Sequence, residues 1–98
     1  MPFVVAATWV AQPGEEQRIE SVIRSLTPPS RAEPKNHAYV AHRDPQDPRT
    51  FFLYEQYTDE SGFEEHRATE HFQKHAVGEA FPYLQSREAK TYWTLDEE

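Results

Sequence analysis

The sequence predicts an α+β fold: a ferredoxin-like antiparallel sheet in the order β-α-β-β-α-β, with its helices on one face. Three observations carry this. Runs rich in β-branched and aromatic residues at Phe3–Val10, Asn36–Arg43, Thr50–Tyr57 and Ala89–Leu95 read as four strands. Stretches with helical spacing fall between the first and second and between the third and fourth of them. The 98 residues, with no internal repeat, suffice for a single domain spanning 1–98 and one modest core.

The first strand, Phe3 to Val10, is an almost unbroken apolar run, as expected of a strand covered on both faces, and Pro13-Gly14 punctuates its end. Ile19, Val22, Ile23 and Leu26 then recur at i, i+3, i+4 and i+7 among Glu, Ser and Arg, which predicts an amphipathic helix with one buried stripe. Thr27-Pro28-Pro29-Ser30 is expected to stop it, because proline cannot continue the hydrogen-bond ladder. A loop through Arg31-Ala32-Glu33-Pro34 leads to the second strand, Asn36 to Arg43, where His37, Tyr39 and Ala41 alternate with Asn36, Ala38, Val40 and His42. Asp44-Pro45-Gln46-Asp47-Pro48 is a turn cluster, and Thr50 to Tyr57 (TFFLYEQY) returns as the other arm of a long hairpin.

From Asp59 to about Leu84 the pattern is helical but interrupted. Thr58 or Asp59 can cap its start and Thr69 can re-cap a second segment, while Gly78 and Pro82 are expected to break or bend the later part. Phe72, Ala76, Ala80, Phe81 and Leu84 fall on one helical stripe. The run from Ala89 to Leu95, with Tyr92 and Trp93, predicts the last strand, and Asp96-Glu97-Glu98 a solvated end.

Composition narrows the function classes. Seventeen acidic against ten basic residues give a formal charge of −7, which argues against nucleic-acid binding and against docking on anionic membranes. No apolar run approaches the ~20 residues of a membrane span, and the start of the chain lacks the basic segment and apolar core of a signal peptide, so a cytoplasmic, soluble protein is expected. The absence of cysteine removes disulfides, thiolate catalysis and Cys-ligated metals. Aromatic residues make up 13% of the chain, well above what a disordered segment carries. In FVVAATWV and TFFLYEQY both alternating sets are apolar or aromatic, while the helices cover only one face of the sheet. The other face needs a cover, and a second copy of the chain is the simplest one, so a homodimer is expected.

The stretch from Arg31 to Phe72 carries a resemblance. RAEP, Tyr39, HRDPQDP, FFLYEQY with Glu55, the turn at Thr58-Asp59-Glu60, Phe63-x-x-His66 and Thr69-x-His71-Phe72, in this order, resemble the antibiotic biosynthesis monooxygenase family. The opening strand, Pro13-Gly14 and the amphipathic helix fit the same pattern. The resemblance implies a dimeric α/β barrel with a pocket between sheet and helices. It also implies a family whose members include cofactor-independent oxygenases of quinols and phenolic polyketides, isomerases, heme-degrading enzymes and members of unknown role. Glu33-Pro34-Lys35 departs from the family's usual Glu-Pro-Gly, and Tyr57 stands where tryptophan is common. The first strand lacks the asparagine of the heme-degrading branch, and His75 falls one residue short of that branch's histidine spacing, which argues against the heme reading.

The reading that follows is a monooxygenase-like enzyme acting on a small quinol or phenolic substrate with O₂, without metal or other cofactor. Such chemistry needs a base that titrates near neutrality, polar groups for the substrate oxygens and aromatic walls. His71, with His66 as alternate, is the candidate base, since histidine titrates near pH ~6.5; both can equally be exposed polar residues or caps. Glu55 shares a strand face with Phe51, Leu53 and Tyr57, where an unpaired carboxylate is costly. It is expected to orient the His71 imidazole or bind a substrate hydroxyl, or it can cap a backbone donor or bridge the dimer. Asn36 or Tyr39 is the candidate to hold a substrate oxygen, with Phe51, Tyr57, Phe72, Phe81 and Trp9 as pocket walls. His71 and His75 are spaced i, i+4 with Glu79 one turn on, but HFQKH lacks the H-E-x-x-H pattern and no metal is expected there. An isomerase or lyase using the same base, and a non-catalytic small-molecule-binding or stress-response dimer, are the alternatives.

Overall fold

The apolar run at the start of the chain becomes β1 (Phe3–Ala11), the strand around which the sheet is built, and it is paired on both sides. The computed structural model describes residues 1–95, so the expected solvated end, Asp96-Glu97-Glu98, lies outside the described residues. The elements that follow are α1 (Glu16–Arg31), β2 (Asn36–Arg43), β3 (Thr50–Tyr57), α2 (Glu60–Ala68), a π-helical segment (Phe72–Ala80), a 3₁₀ turn (Phe81–Tyr83) and β4 (Leu84–Trp93). The sheet is open and antiparallel in the order β2-β3-β1-β4, which is the predicted ferredoxin-like arrangement. No helix among the described residues is long and apolar enough to cross a membrane.

Alternation along the strands sorts the side chains onto two faces. Trp9 pairs with Phe51, Ala7 with Leu53 and Phe3 with Tyr57, and all of these are buried under the helices. The stripe Ile19, Val22, Ile23 and Leu26 of α1 closes over Trp9, Ala7, Phe51 and Leu53 as its spacing predicts, while Phe63 of α2 packs on Phe3 and Tyr57. The opposite face presents Val40 and Phe52 to solvent, and Tyr92 beyond them on β4. Helix cover also stops short of β4: Ala89, Thr91 and Trp93 share the inner face yet are exposed.

Two boundaries differ from expectation. α1 does not stop at Pro28-Pro29 but runs on to Arg31. Proline removes an N–H but keeps its carbonyl, and the carbonyls of Pro28 and Pro29 both accept from Ala32 N–H at 3.2 Å. Ser30, fully buried one turn after Leu26, stays on the packed stripe, so tertiary contact carries the helix through. β4 begins at Leu84 rather than Ala89. After Leu84, the residues Gln85 to Glu88 are polar and exposed on an edge strand, so no alternation marks them; the ladder to β1, from Ala11↔Leu84 to Phe3↔Trp93, defines the strand.

The interrupted helical region resolves at Thr69. Its backbone is extended (φ −69°, ψ 156°), which ends α2. Its hydroxyl donates to the His66 carbonyl at 2.7 Å and accepts from Phe72 N–H at 3.1 Å, so one residue closes one helix and opens the next segment, as expected of a re-capping threonine. Asp59 caps α2 at the other end, accepting from Ser61 N–H at 2.9 Å. Gly62 then allows α2 to lie against the end of β3: a Cβ at this position would stand 2.8 Å from Tyr57 Cβ and 3.0 Å from Lys35 Cβ. Lys35 ties the same corner, donating to Ser61 Oγ at 2.7 Å and Glu65 at 2.9 Å.

Gly62→Ala is therefore expected to lower unfolding free energy by about 1–3 kcal/mol, the usual cost of overpacking a tight contact. Denaturant titration of the two proteins checks this; equal midpoints would mean that α2 stands off the strand.

Candidate functional site

The continuation of α1 to Arg31 decides where Glu33 comes to rest. Arg31 Nε donates to the Tyr39 carbonyl at 3.0 Å, fastening the helix end to β2. The chain then turns, with Glu33 N–H donating to the Ser30 carbonyl at 3.2 Å and Asn36 N–H to the Glu33 carbonyl at 3.1 Å. This points the Glu33 side chain at the Thr69 junction, where His66 lies in the last turn of α2 and His71 precedes the π-helical segment. One oxygen, Glu33 Oε2, lies 2.7 Å from His66 Nδ1 and 2.6 Å from His71 Nε2. An ionised carboxylate only accepts, so both of these ring nitrogens donate. The second oxygen, Oε1, is buried without a hydrogen-bond partner.

Behind His66 the polar chain continues. His66 Nε2 faces Glu55 Oε1 at 3.9 Å, and the same oxygen accepts from the Tyr57 hydroxyl at 2.7 Å. Burial raises the Glu55 pKa above the ordinary carboxylate range; His66 and the Tyr57 hydrogen bond oppose that rise and the Glu33 charge adds to it. Burial likewise raises the Tyr57 and Tyr39 hydroxyls, with the Glu55 charge reinforcing both, so these phenols stay protonated. Glu33, His66, Glu55 and Tyr57 form one line of groups running from the α1 loop into the sheet.

Aromatic rings enclose this line. The His66 ring is met by Phe72 edge-on at 5.1 Å, by Tyr39 at 5.7 Å, by Tyr57 at 5.8 Å and by Phe63 at 6.5 Å. Phe72 meets Phe81 at 6.0 Å and Phe81 meets Trp9 at 5.7 Å, both edge-to-face. Tyr39, Glu55, Tyr57, His71 and Phe72 thus gather around His66 as one cluster, and a chain of rings leads from it through Phe81 to Trp9. Two of the residues singled out in the sequence do not join it. Phe51 sits toward the far end of β3, lining a groove of about 540 Å³ between α1 and β2 under the Arg43 guanidinium. Asn36 spends its amide on the carbonyl of Ala38, at 3.1 Å.

The partner expected for His71 was Glu55; the carboxylate that holds His71 is Glu33, and Glu55 stands against His66 instead. Sequence reading assigned Glu33 no role, although it lies in the quoted RAEP motif. The signal available was a lone acid wedged between a helix end and a proline. The possible metal donors differ as well. His75 Nδ1 is paired with Glu79 at 2.7 Å, whereas the donor atoms of Glu33, His66 and His71 all lie within 4.8 Å of one another.

The raised Glu55 pKa sets a sign for stability. The unfolded chain loses this proton first, so the contribution of Glu55 to stability falls as pH rises from the ordinary carboxylate value toward the folded one. Glu55→Gln, which keeps an acceptor for Tyr57, should gain on wild type as pH is raised from about 4, the ordinary carboxylate value, toward neutrality, by roughly 1.4 kcal/mol per unit of pKa elevation. Denaturant melts of both proteins across that range check it; a constant difference would mean that Glu55 titrates normally.

Comparison with known proteins agrees with this architecture. PA3566 from Pseudomonas aeruginosa is 34% identical, with 97% of this chain and 95% of that one covered and a TM-score of 0.90. Rv0793 from Mycobacterium tuberculosis shares the fold at 20% identity, 99% and 98% coverage and a TM-score of 0.89. A structure described as an antibiotic biosynthesis monooxygenase does so at 24% identity, 96% and 99% coverage and a TM-score of 0.88. No curated protein matches the sequence significantly. The family model for antibiotic biosynthesis monooxygenase matches residues 2–77, which include Glu33, Glu55, His66 and His71, and the chain belongs to that family.

Proposed function

We propose that this protein is a cofactor-independent monooxygenase-like enzyme that oxidises a small quinol or phenol with O₂, with His71 as the base. The observation that carries the reading is the fixing of His71 Nε2 by Glu33 at 2.6 Å. With the proton on Nε2, the lone pair is on Nδ1, and a fifth of the His71 side chain is open to solvent, against 2% for His66. His71 can therefore meet a substrate hydroxyl, while His66 is a buried positioning residue between Glu33 and Glu55. Glu33 holds the imidazole in one tautomer and stabilises the imidazolium once the proton has moved.

The chemistry then needs nothing beyond the substrate and oxygen. Proton abstraction leaves a phenolate, which passes one electron to O₂; the resulting radical pair joins as a carbon-bound peroxide. Loss of water turns an activated CH₂, the keto form of the phenol, into C=O, so one oxygen atom stays and the other leaves as water. The rings of Phe72, Phe81, Tyr39 and Trp9 exclude water from the reactive anion. Family membership supports a monooxygenase-like role, and the quinol substrate is the finer reading offered here.

The active particle in this proposal is a homodimer, its sheets packed on the face that carries Val40 and Phe52. Phe52→Asp is expected to give an aggregating or unfolded monomer in sedimentation. A wild-type chain that sediments as a stable monomer at micromolar concentration would contradict the dimer.

For the chemistry, oxygen uptake with a panel of hydroquinones should persist in chelator-treated protein. His71→Ala should reduce it by about 10²- to 10⁴-fold, the usual worth of a general base. Part of it should return near pH ~10, where a phenol ionises unaided. Adding Glu33→Gln to His71→Ala should cost little more, because the two act as a unit. Turnover without oxygen would point to an isomerase or lyase, and saturable binding without turnover to a binding module.

A further inference from the structure

From the Glu33–His66–His71 cluster we infer that the protein binds one zinc-class divalent ion there, and that this ion switches off the proposed base by changing the tautomer of His71. This concerns regulation of the same site and rests on the reading of His71 as base for its consequence, though not for the binding itself. Three donor atoms, His66 Nδ1, His71 Nε2 and a Glu33 oxygen, converge within 4.8 Å on a junction of three chain segments. Two imidazoles and a carboxylate are the protein donor set of open zinc sites and of related first-row ions.

The fit can be judged on distance. The N···O separations of 2.7 and 2.6 Å are hydrogen-bond lengths set by shared protons. A tetrahedral ion with bonds of about 2.0–2.1 Å needs donor edges of about 3.3 Å, so each pair must open by about 0.7 Å. Glu33 follows the end of α1 and His71 follows the Thr69 break, so both ride on segments where the ladder is already interrupted. Glu33 also carries a second oxygen, buried and without a partner, that an ion can recruit.

The outer groups favour occupation too. His66 Nδ1 lies 2.7 Å from Glu33 Oε2 while Nε2 faces Glu55 Oε1 at 3.9 Å, so the imidazole already stands between two carboxyl groups. An ion on Nδ1 sends the ring proton to Nε2, where it points at Glu55. This makes the carboxylate–histidine–metal arrangement that holds ligating histidines in place, with Tyr57 bracing Glu55 from behind at 2.7 Å.

The same rearrangement at His71 defines the effect on chemistry. With Nε2 on the ion, the proton moves to Nδ1, the nitrogen that otherwise takes the substrate proton. No proton leaves the neutral ring, yet its base is gone.

Cobalt(II) chloride titrated into the metal-stripped full chain tests the binding without substrate or oxygen, so an inactive protein and an empty site are told apart. One ion per chain is expected, with the intense visible absorption of four- or five-coordinate cobalt. His71→Ala and Glu33→Gln should each weaken binding by more than the about 10- to 100-fold typical of outer-shell changes. His75→Ala should leave it unaltered, since His75 belongs to a separate pair with Glu79. X-ray absorption of the wild-type zinc complex needs no variant and should count two imidazoles. Failure to bind at millimolar cobalt, loss of binding in His75→Ala, or a zinc shell with fewer than two imidazoles would overturn the site. Zinc that binds there and leaves oxygen uptake unaltered would overturn the switch.

Discussion

A single carboxylate oxygen joins the two halves of this molecule's helical layer. Glu33 Oε2 receives His66 from the end of α2 and His71 from the start of the π-helical segment, at 2.7 and 2.6 Å. Each element that brings these atoms together has its own cause. The α1 stripe packs through Ser30 and carries the chain past two prolines. Thr69 splits the helical region so that two histidines five positions apart face the same acceptor. Gly62 seats α2 low enough on β3 for His66 to reach Glu55 and the surrounding rings. Were α1 to end at Thr27, Glu33 would have no fixed place.

Burial makes this arrangement consequential. Hydrogen bonds to a charged group in a low-dielectric site hold geometry more firmly than the same bonds in water, and unpaired groups there are correspondingly costly. Glu55, buried on an apolar sheet face, is held by a phenol on one side and faces an imidazole on the other. The line of groups therefore places its protons in a constrained order, with His71 at the open end and Tyr57 at the closed end. In the proposed reaction, that polarity lets the cluster meet a substrate proton at one point only.

Most of the fold was legible because periodicity reports which faces are covered. The i, i+3, i+4, i+7 stripe of α1, the two-sided apolar strands and the cap at Thr69 follow from local chemistry that a sequence displays directly. The end of α1 and the start of β4 were not legible. The first is set by the burial of Ser30 and the second by a backbone ladder along an exposed edge, and neither leaves a pattern in residue types. In the site, Glu55 stood out as a carboxylate on an apolar strand face, His66 and His71 as the residue type suited to a base near neutrality, and the rings as apolar walls. Glu33 did not, because its role comes from the turn that brings it 33 positions away to His66 and 38 to His71. Phe51 was read as a pocket wall from its strand alternation, which shows the buried face but not the distance along it.

The protonation state of the two imidazoles tests the central claim most directly. Nitrogen-15 NMR of the histidine rings in the metal-free protein at neutral pH distinguishes Nδ1–H from Nε2–H. The His71 proton is expected on Nε2 and a proton on Nδ1 of His66, both signals altered by Glu33→Gln. A His71 ring with its proton on Nδ1, or one averaging between tautomers as a free surface histidine does, would contradict it.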